Sequence, residues 1–427
     1  MAAKTKKKKQ ARARRYRKPV SWPLWLLFMT LFQLSCMLQI YINGTQESMV
    51  TLFTVYGVYI AAEWIYFFVF GVVLRRKSFE IELIAFFLTG LGLTLTTSVY
   101  PDRAFTQLAA VLMGIVVFIV MLWILGDTKR VIRLRMPVAV LAIAALGVTL
   151  LIGDEINGAK NWIILGDGVL SIQPSEIVKV AFVFVGAATL EHLQSTRSLT
   201  KYILFAGACI GMLFLMKDFG TALIFFFTFI VIAFLRSGDI KTIFLVCTAA
   251  LLGGLGILTF RPYVANRFQT YRHVWEYAQT GGYQQVRLLI YSVSGGLFGL
   301  GIGNGRLRSV YAATEDLAFG MVCEEFGIII AFAVLLTFVA LVVYSIRYAA
   351  AARSAFYSIA ALAASSLLLF QAALHVFGVT DLLPWTGVTL PFISRGGSSM
   401  LCCWGLAAFI KAIDVRTYRR YDKIARN

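Results

Sequence analysis

Charge is scarce in this chain. Asp, Glu, Lys and Arg make up 14% of its 427 residues, and 59% are hydrophobic. Soluble domains carry about 25% charged residues, so the shortage excludes a water-soluble globular fold. Acids are the rarer sign, 21 against 40 Lys and Arg, for a net charge of +19. The three histidines, His192, His273 and His375, lie too far apart in sequence for a metal triad. All six cysteines (Cys36, Cys209, Cys247, Cys323, Cys402 and Cys403) sit in apolar segments. They read as small buried side chains, not as a disulfide frame or a set of metal ligands. The chain shows no repeat of fixed period and no inverted copy of one half in the other, which weighs against a symmetric secondary transporter. No small-residue cleavage site follows the basic start, so residues 1–21 read as a retained tail.

Long apolar runs are what the chain has in abundance, each able to cross a hydrocarbon core of roughly 30 Å. Spans are expected near 22–42, 50–74, 81–98, 104–125, 135–153, 173–190, 202–216, 219–236, 241–260, 317–346, 355–379 and 398–414. The fold class is therefore an all-α polytopic membrane protein with about twelve transmembrane helices; unbroken runs of this length do not suit a β-barrel. Residues 1–21 hold ten basic residues and no acid, which places the N-terminus in the cytoplasm. Alternate loops then carry the remaining clusters, such as Arg75-Arg76-Lys77 and Lys129-Arg130, and the basic tail 416–427 also falls inside. Anionic membrane lipids are the expected partner of the N-terminal block, in preference to nucleic acid. The loops 154–172, 261–316 and 380–397 share the outer face. The sequon Asn43-Gly44-Thr45 reads as a chance occurrence.

Four polar stretches gather at or just below that face. In the first, Lys160-Asn161-Trp162 precedes Gln173-Pro174-Ser175-Glu176 and Lys179. Proline suits a helix start, and Glu176 and Lys179, three apart, share one helix face. They form either a helix-locking ion pair or a site where Lys179 meets a phosphate. In the second, Lys217-Asp218-Phe219-Gly220-Thr221, Asp218 suits capping the next helix or joining Lys179 in one cavity. The third is the long loop 261–316, with six arginines against three acids. It holds a possible amphipathic segment, 283–293, and a glycine-rich run, Gly295 to Gly305, whose N–H groups suit phosphate oxygens. The loop ends on Glu315-Asp316, directly before an apolar span that carries Glu324-Glu325. The fourth, Leu383 to Ser399, has two prolines and three glycines and reads as a broken segment lining a cavity. Glu63 and His375 are intramembrane ionisable groups whose roles the sequence leaves open.

Taken in order, these motifs resemble the SEDS family (shape, elongation, division, sporulation; FtsW, RodA and SpoVE). The matching residues are Gly158-Ala159 with Trp162, Gln173-Pro174-Ser175-Glu176 with Lys179, and Asp218-Phe219-Gly220-Thr221. They continue with Tyr283-Gln284, Ser294-Gly295-Gly296-Leu297-Phe298-Gly299, Asp316 with Glu324-Glu325-Phe326-Gly327, and Leu390 to Ser394 with Gly396 to Ser399. Together they cover roughly residues 80–415. This chain departs from the pattern at Asn161, Met216-Lys217, Arg287-Leu288 and Arg395, which stands where an aromatic is common. The resemblance implies a ten-helix core at 78–415, so that 22–77 would be two additional N-terminal helices.

It also implies an enzyme that polymerises lipid II, the undecaprenyl-pyrophosphate-linked disaccharide pentapeptide, into glycan strands in elongation, division or sporulation. A class B penicillin-binding protein would be the partner, and the bacterial plasma membrane the location. Asp316 would be the general base. Lys179 and loop arginines such as Arg267 and Arg306 would stabilise the leaving charge. Glu176, Asp218, Lys160 and Ser398 would complete the substrate site. The alternative function is a lipid II flippase, and whether a divalent cation (Mg or Mn) sits at Asp316 stays open.

Overall fold

The computed structural model describes residues 20–43, 49–76, 78–156, 158–165, 170–190, 196–238 and 270–417, together with Phe244 and Thr248. The expected span 241–260, Arg267, Cys247, most of both basic tails, and Gly44-Thr45 of the sequon lie outside the described residues. Eleven of the twelve expected spans are helices. They are α1 (Trp22–Asn43), α2 (Met49–Phe67, extended by a π-helical turn Phe68–Val73), α3 (Glu80–Val99), α4 (Pro101–Leu125), α5 (Thr128–Ile152), α6 (Pro174–Leu190), α7 (Thr196–Leu215) and α8 (Phe219–Ser237). After the outer-loop helix α9 (Tyr283–Ser294) come α10 (Ala318–Ala349), α11 (Ala355–Val379) and α12 (Gly397–Ala412). Among the described residues eight helices are long and apolar enough to cross a membrane, and α7 and α12 add shorter apolar helices. This is a multi-pass α-helical membrane protein.

Helices α12 and α3 form the centre. The wholly buried Trp404 of α12 has Phe86, Phe118 and Phe392 edge-on, with ring centroids 5.0, 5.6 and 6.0 Å away. By contrast, α1 and α5 show Leu24, Trp25, Phe28, Leu141 and Leu151 at the surface. In hydrocarbon such side chains cost nothing, because lipid is as apolar as they are. The buried Glu63 of α2 is not alone: Gln33 of α1 donates its amide to both carboxylate oxygens, at 2.9 and 3.0 Å. That bond ties the first two helices together at membrane depth.

Two regions expected to be loops have more structure. Residues 154–172 form a three-stranded antiparallel meander, β1 (Asp154–Ile156), β2 (Ala159–Leu165) and β3 (Leu170–Ile172). The glycine-rich run after α9 plugs a break in α10. At Gly327 the backbone turns to φ 83°, ψ 168°, so the carbonyls of Glu324 and Glu325 lose their helical donors. The N–H groups of Leu300 and Gly301 replace them at 2.9 and 3.1 Å, while Ile328 N–H donates to Gly296 O at 3.0 Å. A Cβ on Gly327 would stand 2.5 Å from Gly299 N, which is why both strands of this contact need glycine. The run is therefore committed to repairing a helix, and the expectation that its N–H groups cradle phosphate does not hold for Leu300 and Gly301. Helix α1 braces the same run from outside. Gln39 Oε1 accepts from Ile302 N at 3.1 Å, and Asn43 Nδ2 donates to Ile302 O at 2.9 Å.

Candidate active site

One cavity of about 1030 Å³ brings the four polar stretches together. Its wall comes from the starts of α4, α6, α8 and α12, the meander, the outer loop and the broken segment before α12. Of the expected site residues, Asp316, Glu176, Asp218 and Ser398 line it; Lys179, Lys160 and Arg306 do not.

Helix α6 opens on Pro174, and Glu176 and Lys179 share its inward face as the spacing requires. Lys179 Nζ lies 2.7 Å from Glu176 Oε1 and donates to Gln371 Oε1 of α11 at 2.8 Å. The amide of Gln371 donates onward to Thr389 O (2.9 Å) and Oγ1 (3.1 Å), and Thr389 meets Ser399 at 2.9 Å. Lys179 is thus held inside the wall, and the ion-pair reading describes it. Reaching a phosphate would mean leaving two buried acceptors. Glu176 presents its other oxygen, Oε2, which is buried and has no hydrogen-bond partner among the described residues.

Asp218 does both things expected of it. Oδ1 accepts from Thr221 N at 3.2 Å and caps α8, while Oδ2 accepts from Asn161 Nδ2 at 2.9 Å and Gln173 Nε2 at 3.4 Å. Asn161 takes the place expected of Lys160. On β2, Lys160 pairs in register with Glu155, and its ammonium donates to Leu151 O at 2.9 Å. That carbonyl belongs to the last turn of α5, where a helix has no acceptor-side partner of its own. Asn161 Oδ1, like Glu176 Oε2, is buried without a partner among the described residues. Buried polar atoms are rarely left unpaired, so both mark places where a ligand's donors fit.

Asp316 is half-buried at the end of the outer loop, and its amide donates to Ala312 O at 2.9 Å. The N-cap position of α10 is the next residue, Leu317. Glu315, beside it, forms an ion pair with Arg395 of the broken segment. Ser398 opens α12, and its hydroxyl accepts from Gln173 N at 3.4 Å. Arg306 instead gives its backbone N–H to Glu324 Oε1 at 2.7 Å, with Leu307 N on Oε2 at 2.9 Å, and its side chain is exposed outside the cavity. Glu324 is therefore a cap for the loop's last 3-10 turn.

The cations that do line the cavity are Arg103, Lys217 and Arg395. Reading the sequence by loop charge missed them because they come from three separate segments. Arg395 had a signal, as the basic residue standing where an aromatic is common. Gln371 had none, since a glutamine in an apolar helix says nothing of its partner. His375 bridges two segments: Nδ1–H donates to Val388 O at 2.8 Å and Nε2 accepts from Phe319 N at 3.3 Å. Among the described residues no three His, Cys, Asp or Glu side chains group to hold a metal ion.

Known proteins are similar to this chain over most of its length. The family model described as "Cell cycle protein", covering FtsW, RodA and SpoVE, matches residues 94–419. The stage V sporulation protein E of Bacillus subtilis is 32% identical over 279 residues, 63% of this chain and 75% of that protein. The peptidoglycan glycosyltransferase RodA of Mycobacterium tuberculosis is 29% identical over 327 residues, 72% of this chain and 69% of its own. Among solved structures, a chain of a peptidoglycan synthase complex has a TM-score of 0.63 at 23% identity, covering 80% of this chain and 98% of that one. RodA of Thermus thermophilus reaches 0.59 at 22% identity, with 80% and 98% covered. With three-quarters of its length matched by one family model and its fold shared with RodA, this chain belongs to the FtsW/RodA/SpoVE family.

Proposed function

We propose that this chain is a peptidoglycan glycosyltransferase that polymerises lipid II at the outer end of its membrane domain, with Asp316 as general base. One observation carries the assignment of the site: Asp316 shares a single large cavity with three cations and with buried acceptors that have no donor among the described residues. Relatives named peptidoglycan glycosyltransferase RodA and FtsW support the reaction class.

In the reaction, a sugar hydroxyl of one substrate attacks C1 of the other. The new C–O bond forms as the bond from C1 to the pyrophosphate oxygen breaks, and the electron pair leaves with the lipid pyrophosphate. The hydroxyl proton passes to the Asp316 carboxylate. A single displacement inverts C1 and needs no nucleophilic side chain. Arg103 and Lys217 supply the positive field for the leaving oxygens, the role first expected of Lys179 and the loop arginines. Glu176 Oε2, Asn161 Oδ1 and Asp218 accept from sugar hydroxyl and amide groups.

The cavity faces the outside of a bacterial plasma membrane, and both termini are cytoplasmic. A class B penicillin-binding protein crosslinks the strands as partner. The test is polymer formation by the purified chain from lipid II, alone and with such a partner. Polymer from wild type and none from Asp316→Ala is expected. Headgroup translocation in vesicles without polymer would replace this reading with a lipid II flippase.

A further inference from the structure

Asp316 is gripped on both flanks by one stretch of chain. On its N-terminal side, Arg395 N donates to Thr314 O at 2.9 Å, and Ser394 Oγ donates to Glu315 O at 2.5 Å. The same hydroxyl accepts from Leu390 N at 2.9 Å, which folds the broken segment into a compact turn. The Glu315 carboxylate then pairs with the Arg395 guanidinium. On its C-terminal side, Phe319 N–H donates to His375, whose other ring nitrogen holds Val388 O. Segment 388–396 is itself docked. Ile393 packs on Gly92 of α3, where a Cβ would stand 2.9 Å from Ile393 Cα, and Gly396 N donates to Gln107 Oε1 at 3.3 Å.

Within this grip the Arg395–Glu315 contact is peculiar. Both side chains are 25% exposed, so the pair lies in the cavity wall where solvent screens it only in part. The guanidinium also stacks over Tyr100, which precedes α4, with Cζ 4.8 Å from the ring centroid. Arg395 therefore links three elements: α4, the end of the outer loop, and the segment leading into α12.

We propose that Arg395 and Glu315 form a latch that positions Asp316, fixing the loop's end against segment 388–396. Both are positioning residues; neither is assigned contact with the reacting atoms. The proposal rests on the reading of Asp316 as base.

Its test is a charge swap in the full chain. Arg395→Glu and Glu315→Arg should each lower kcat about 100-fold with KM for lipid II unchanged, the effect of a misplaced catalytic group. The double variant should regain about tenfold or more, because the pair is rebuilt with its charges exchanged. Arg395→Gln and Glu315→Gln, which introduce no new charge, should follow the same direction with smaller losses. Hydrogen exchange over residues 312–320 should be faster in each single variant and slow again in the double. A raised KM with kcat kept would put Arg395 on the substrate and overturn the latch. So would single variants equal to wild type, or a double variant as low as the product of the singles. Exchange is read without turnover: if wild type makes no polymer, the base assignment fails, and unchanged protection in the single variants then rejects the latch on its own.

Discussion

Among the described residues two lysine–glutamate pairs are buried, one at each end of the membrane domain. Lys411 of α12 and Glu82 of α3 lie 2.9 Å apart with both side chains wholly buried. Lys411 also donates to Ser78 O, Tyr66 OH reaches Glu82 Oε1 at 3.4 Å, and Tyr344 OH reaches the nearby Asp414 Oδ2 at 3.3 Å. Lys179 and Glu176 are as close and nearly as buried, yet Glu176 keeps one oxygen without a partner among the described residues and faces a cavity. By charge the two pairs look alike; by satisfaction they are opposites. A buried pair whose hydrogen bonds are complete is a strut, and one with unmet acceptors beside open volume is a binding surface. The end of the molecule away from the cavity thus carries buried charge as well, but its hydrogen bonds are closed.

Substitutions can break this contrast, beginning with the largest effect. Asp316→Asn should lower kcat for glycan polymerisation by about 10²–10⁴-fold, the range for a lost general base, with the protein still extracted as a folded species. Lys411→Met should destabilise by about 3–5 kcal/mol, because it strands a buried carboxylate, and should appear as a lower melting temperature in detergent. Adding Glu82→Leu to that variant should recover most of the loss, while polymer formed per folded molecule stays near wild type. Glu176→Gln keeps the oxygen on Lys179 but puts an amide where an acceptor faces the cavity. KM for lipid II should rise about tenfold, and the melting temperature should fall as well, because the buried Lys179 ammonium loses its counter-charge. The smallest effect on stability belongs to Lys217→Ala. Its pair with Glu155 spans 3.2 Å with both side chains about half exposed, so stability should shift by less than about 1 kcal/mol. An unchanged KM for Glu176→Gln, or a stable Lys411→Met, would erase the distinction between strut and surface.

Much of this was legible in one dimension. Hydropathy located eleven helices, and the Pro174 start and the three-residue step from Glu176 to Lys179 placed both side chains on one face. Asp316 was legible as an acid at a membrane boundary. What could not be read was which groups meet. Lys160 and Asn161 are neighbours, yet only the second lines the cavity, because the strand turns the first toward the end of α5. The glycine run looked like a phosphate loop since glycine is permissive for either use. Its true partner is a helix break, visible only once α10 is built.

The sequence by itself determined that this chain is a bundle of apolar helices with its polar motifs at the ends of those spans. Burial in hydrocarbon constrains each span through its own composition, so local patterning suffices. The tertiary structure decided the roles of individual polar groups: Lys179 in the wall, Arg306 outside, Arg103, Lys217 and Arg395 in the cavity, and Glu315 on Arg395. The contacts that hold Lys179 and Glu315 join residues 192 and 80 positions apart, and a hydrogen bond is made by distance and angle in space, which no local window of the chain contains.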